Sequence, residues 1–141
     1  MAITYQTIDI SMPEISKKEI TQWIKSVAAS YDKKVGEIAY IFCNDEKILE
    51  VNREYLQHDY YTDIITFDYT SRDKISGDIF ISVDTVRTNA KKFDTSYETE
   101  LLRVIIHGIL HLCGVNDKSP EERMEMENAE NKALLELGKV R

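Results

Sequence analysis

Apolar residues recur along this chain with two periods, and the switches between them mark its elements. Residues 3–10 carry Ile3, Tyr5, Thr7, Ile8 and Ile10 and predict a strand. Ser16-Lys17-Lys18-Glu19 has capping-box spacing. It opens a helix in which Ile20, Trp23, Ile24, Val27 and Ala28 share one face. Residues 36–43 are apolar on both faces, as in a central strand. Asp45 is placed to cap a second helix, with Ile48, Leu49, Tyr55 and Leu56 on its inner stripe. A polar stretch follows over 57–62.

Residues 63–69 and 77–83 predict two strands, joined as a hairpin by 70–76. A helix over 85–93 comes next. Thr95-Ser96-Tyr97-Glu98 again has capping-box spacing and starts a helix reaching Leu112. That helix is apolar nearly all round, so it must be buried. Ser119-Pro120-Glu121-Glu122 starts the last helix, with Met126, Ala129, Ala133 and Leu137 on its inner face. Strands and helices are mixed rather than strictly alternating. The pattern predicts an α+β fold: a small mixed sheet of about four strands covered by helices, one of them buried. The chain has no internal repeat and no Gly/Ser-rich linker, so residues 1–141 read as one domain.

Composition adds exclusions. A chain 43% hydrophobic and 30% charged is that of a soluble globular protein. No apolar run approaches the ~20 residues of a membrane span. The start, MAITYQTIDI, lacks the basic and apolar regions of a secretory signal. The expected location is the cytoplasm, with no membrane partner. Cys43 and Cys113 then read as small buried hydrophobes rather than a disulfide. A net charge of −7 speaks against a broad nucleic-acid surface. It leaves room for a local basic groove, and a bound cation would add positive charge where the chemistry happens.

The candidate chemistry lies in His107-Gly108-Ile109-Leu110-His111-Leu112-Cys113-Gly114-Val115-Asn116-Asp117. Two histidines four apart on a helix share one face, about 40° apart around the axis. Gly114 is placed to end the helix, because glycine adopts the left-handed conformation cheaply. The chain then turns back and can bring Asp117 to the same ion. Two nitrogens and one carboxylate leave a fourth position open for water, which is the ligand set of a catalytic zinc site with one Zn2+ per chain. As core residues, the two imidazoles would be buried without partners at a cost that a shared metal removes. Asp117 has an alternative role as a cap before the last helix. Cys113 is an alternative third ligand, but it points to another side of the helix. Metalloproteases with a similar histidine pair carry a glutamate base directly after the first histidine. Here that position is Gly108.

HGILHLCG resembles the YbeY family, single-strand-directed endoribonucleases that mature ribosomal RNA. Val51-Asn52-Arg53-Glu54-Tyr55, Thr62-Asp63-Ile64-Ile65-Thr66-Phe67 and Gly77-Asp78-Ile79-Phe80-Ile81-Ser82 look like its other signature blocks, in the right order. The resemblance covers nearly the whole chain. It implies cleavage of single-stranded RNA, with ribosomal RNA and the small ribosomal subunit as partners. Asn52, Arg53, Asp63, Thr66 and Asp78 become candidates for lining the pocket. Two positions depart from the family pattern. Asp117 stands where the family usually supplies a third histidine, and Leu56 stands where it carries an arginine linked to activity. Arg53 and Arg72 lie nearby in sequence.

Tyr60, Tyr61 and Tyr69 are candidates to stack on unpaired bases, although such tyrosines more often pack half-buried. The pairs Lys17-Lys18, Lys33-Lys34 and Lys91-Lys92 read singly as solvated faces. The expected reaction is metal-assisted phosphodiester cleavage. No side-chain general base is encoded beside the ligands, so the metal-bound water is the one catalytic group named. Two other readings stand beside this one. The first is a non-catalytic ribosome-assembly module with a structural zinc, favoured by Leu56. The second is a zinc metallopeptidase, disfavoured by Gly108.

Overall fold

Alternating and doubly apolar runs become four strands of one sheet: β1 (Ala2–Thr7), β2 (Lys34–Cys43), β3 (Ile64–Asp68) and β4 (Lys74–Ser82). The computed structural model describes residues 2–56 and 62–140, without the side chains of residues 2, 139 and 140. Tyr60, Tyr61 and most of the polar stretch therefore lie outside the described residues. The strand order is β1-β2-β4-β3. β2 pairs in parallel with β1 and with β4, while β3 and β4 form the predicted antiparallel hairpin. β4 begins at Lys74 rather than Gly77, and β1 stops at Thr7 rather than Ile10. Past β1 the chain bends through Asp9, whose φ of 58° leaves the extended region.

Five helices cover the sheet: α1 (Lys17–Ser30), α2 (Asp45–Val51), α3 (Val83–Lys92), α4 (Tyr97–Leu112) and α5 (Pro120–Val140). Ser16 caps α1 by accepting from the Glu19 N–H. Two caps fall one residue away from their expected positions. Asn44, not Asp45, caps α2, because its side chain is the one that reaches the Lys47 N–H, at 2.9 Å. Asp45 instead accepts from the Ser82 and Thr85 hydroxyls, each at 2.6 Å, tying the start of α2 to that of α3. Ser96, not Thr95, caps α4 through the Thr99 N–H. α3 starts at Val83, with Ser82 as its cap.

The predicted inner stripe of α2 does not continue to Tyr55 and Leu56, which are 62% and 39% exposed. After Val51 the helix widens into a π-turn, Asn52–Leu56. The wider turn changes the phase, so Val51 and Asn52 face inward instead. Leu49 is only half-buried.

Strand alternation divides the core. Ile75, Ile79 and Ile81 of β4 join Ile38, Tyr40 and Phe42 of β2 against α1, α4 and α5. On the opposite face, Ile65, Phe67 and Phe80 pack with Cys43 and with Ile48 and Val51 of α2. α4 is buried from Glu100 to Leu112 except along the half-buried stripe Arg103, His107 and His111. The Tyr40 hydroxyl donates to Ile105 O at 2.8 Å, and the Trp23 indole donates to Ala133 O at 2.8 Å. Gly108 brings α4 close to the sheet. A Cβ there would stand 3.0 Å from Ile79 Cδ1 and 3.2 Å from Ile64 Cδ1. Among the described residues no helix is long and apolar enough to cross a membrane.

Candidate metal centre

α4 presents His107 and His111 one turn apart, with ring centroids 4.6 Å apart and ring planes nearly perpendicular. The helix ends in a Schellman motif at Gly114, φ 98°. The Gly114 N–H donates to His111 O and the Val115 N–H to Leu110 O, both at 3.0 Å. This turn reverses the chain and returns Asp117 to the histidine face. Asp117 Oδ2 lies 3.4 Å from His107 Nε2 and 3.3 Å from His111 Nε2. One donor atom from each of the three residues lies within 4.8 Å of the others. Two imidazole nitrogens and a carboxylate oxygen, all partly accessible, suit a borderline divalent ion with an open coordination position. Cys113 is not in this group, and burial pushes its thiol up to about 11.

Two cavities meet at His107. One, of about 360 Å³, opens toward β3 and is lined by Thr66, Asp68 and Asn116 together with His107 and His111. The other, of about 520 Å³, lies between α4 and α5 and includes Glu100, Arg103, Arg123, Glu130 and Asp117.

Glu130 was not singled out by sequence reasoning. Its Oε2 lies 2.6 Å from His107 Nδ1, and its Oε1 accepts from Arg103 Nη1 at 2.9 Å. Burial alone pulls the His107 pKa down, but the bond to Glu130 and the nearby carboxylates outweigh it and raise it. A signal for Glu130 was available. With Met126, Ala133 and Leu137 it forms the buried stripe of α5, where a carboxylate needs a partner. Ala129, assigned to that stripe, is only half-buried.

The candidates from the other sequence blocks separate. Thr66 lines the smaller cavity. Asp63 lies near the centre: burial raises its carboxyl, and the His107 charge partly offsets the rise. Asn52 is buried in the π-turn and donates to Thr62 Oγ1 at 3.3 Å. Arg53 is exposed, and neither it nor Asn52 lines either cavity. Asp78 sits between Gly77 and Ile79 on β4, so alternation turns it to the face away from α4. There the exposed Tyr69 donates to it at 3.4 Å. Leu56 lines neither cavity.

A family profile described as Endoribonuclease YbeY matches residues 2–138. A Bacteroides thetaiotaomicron protein named Endoribonuclease YbeY is 72% identical over 134 residues, spanning 95% of this chain and 98% of its own. One from Porphyromonas gingivalis is 53% identical over 135 residues, spanning 96% of this chain and 89% of its own. A Thermotoga maritima protein solved in solution superposes with a TM-score of 0.68 at 26% identity, covering 99% of this chain and 93% of that one. Sequence and backbone thus agree along nearly the full length, and the chain belongs to the YbeY endoribonuclease family.

Proposed function

We propose that this chain is a zinc-dependent endoribonuclease that cuts single-stranded RNA, acting in the cytoplasm on ribosomal RNA during small-subunit maturation. The observation that carries the reading is the convergence of His107, His111 and Asp117, with both histidines lining a polar cavity. A divalent ion held there would supply Lewis-acid polarisation of a phosphoryl oxygen and positive charge for the transition state. His107 and His111 of α4, with Asp117 from the turn that follows it, would hold that ion. On the β3 side, Thr66 and Asn116 supply donors for a phosphate, and Asp68 an acceptor for a ribose hydroxyl.

Gly108 argues against a peptidase on grounds beyond the missing base. A side chain at that position would be directed into Ile79 and Ile64, not toward substrate. A second reading, an assembly module with a structural zinc, is favoured by Leu56, which is aliphatic and partly exposed.

Elemental analysis of wild-type and Asp117→Ala protein, paired with cleavage of a single-stranded ribosomal RNA fragment, tests the proposal. Near-stoichiometric zinc and cleavage in wild type, both lost in the variant, support the nuclease. Zinc without cleavage favours the assembly module. No metal in carefully purified wild type sinks the metal reading. A 2′,3′-cyclic phosphate at the cut end would identify the ribose 2′-hydroxyl, rather than water, as the attacking group.

A further inference from the structure

The second carboxylate beside His107 belongs to α5, far from the ligands in sequence, and is 7% exposed. Both oxygens of Glu130 are engaged: Oε2 with His107 Nδ1, Oε1 with Arg103. The second guanidinium nitrogen of Arg103 donates to Asn131 Oδ1 at 2.7 Å. Arg103 thus bridges from α4 to two consecutive residues of α5, and its planar fork limits how Glu130 can turn.

We propose that Glu130 is a positioning residue for the metal centre, held in place by Arg103, and that it fixes His107 with Nδ1 protonated and Nε2 aimed at the ion. The inference rests on the metal reading above. Its logic is local. An imidazole has one lone pair to give, and a carboxylate at 2.6 Å from Nδ1 demands a proton there. The lone pair is then left on Nε2, the nitrogen facing Asp117. The carboxylate also makes the imidazole a stronger donor. Arg103 meets Glu130 at one end of the unit, and an ion on Nε2 would stand at the other, so the buried negative charge would be compensated from both sides. α5, whose Met126, Ala133 and Leu137 are ordinary core residues, thereby acquires a role in the centre.

The test is a zinc dissociation constant, measured by competition with a chromophoric chelator, for wild type, Glu130→Gln, Glu130→Leu and Arg103→Met. Circular dichroism of each metal-free protein establishes that it is folded. Outer-shell partners of this kind change metal affinity by about 10–100-fold. The expected order of loss is Glu130→Leu, then Glu130→Gln, which keeps an acceptor but no charge, then Arg103→Met at under about tenfold. In the zinc-loaded wild type the His107 Nδ1 proton exchanges slowly with solvent by NMR, and in Glu130→Leu it exchanges rapidly. If Glu130→Leu fails to fold, the isosteric Glu130→Gln carries the test. Folded Glu130 variants that bind zinc as tightly as wild type, with the same proton exchange, overturn the positioning role while leaving the metal reading intact. Wild type that binds no zinc overturns both.

Discussion

Asp117 Oδ2 is shared almost equally between two Nε2 atoms, at 3.4 and 3.3 Å, so its removal strikes both histidines at once. Asp117→Ala is expected to weaken zinc by more than the roughly 10–100-fold of an outer-shell change, as a chelator titration would read. Glu100 offers a test by pH. Burial raises its carboxyl pKa, Arg103 offsets part of this, and Asp63 and Glu130 add to the rise. A carboxyl whose pKa is higher folded than unfolded costs stability while ionised, and the cost fades as pH falls through the folded pKa. Glu100→Gln is therefore expected to be more stable than wild type in urea at pH 7 and to lose that advantage toward pH 4. An advantage that grows on acidification would contradict this sign. At this scale the convergence of His107, His111 and Asp117 was legible because a helical period of four and a glycine turn bring them together locally. Glu130 was not, because its partner is on another helix and the pairing depends on how α4 and α5 cross. Asp78 was assigned to the pocket against strand parity: with Ile79 facing α4, its neighbour must face the other way.

Elements meet where glycines remove a Cβ. At Gly77 a Cβ would collide with the Phe67 carbonyl oxygen, an atom of the paired strand that cannot rotate away. Gly77→Ala must push β3 from β4, and we expect a loss of at least about 2 kcal/mol by urea unfolding. Gly108→Ala differs, because its nearest contacts are the side-chain ends of Ile79 and Ile64, with Ile79 Cγ2 at 3.3 Å, and none is backbone. Replacing a helical glycine gains about 1 kcal/mol, against about 1–3 for overpacking. Stability should change by less than about 2 kcal/mol. Ile64 also lines the smaller cavity, so cleavage should fall even where the melting temperature barely moves. A normal rate in Gly108→Ala would mean that the Ile64 wall does not shape the substrate path. Helix existence and face were legible wherever a 3.6-residue period persisted, as in α1 and α4. The caps at Asn44 and Ser96 were misplaced by one residue because adjacent side chains of the same type compete for one N–H. The π-turn after Val51 has no period of its own to read, and so Tyr55 and Leu56 were assigned inward when they face out.

For the whole molecule, mixed patterning announced an α+β sheet, and the β3–β4 hairpin followed from spacing. The insertion of β4 between β2 and β3 was not legible, since parallel partners are chosen by packing across both faces. Charge acts at this scale too. The chain carries −7, and a single divalent ion offsets only two of those charges, so its long-range field repels RNA. On the proposed metal-dependent reading, cleavage would rely on a few contacts beside His107, His111 and Asp117 rather than on a long phosphate track. Each phosphate neutralised on a single strand contributes a slope of about −0.7 in log affinity against log salt. With two or three such contacts, raising salt from 50 to 200 mM should weaken RNA binding by only about tenfold. Screening of the net repulsion flattens the dependence further. A fluorescence-anisotropy titration with a non-cleavable single strand measures this slope directly. A loss beyond about 100-fold would mean that more phosphates are held than the metal's surroundings can reach. The exposed pairs Lys17-Lys18 and Lys91-Lys92 would then be the places to look, and alanine substitution there would lower the slope by about one contact at a time.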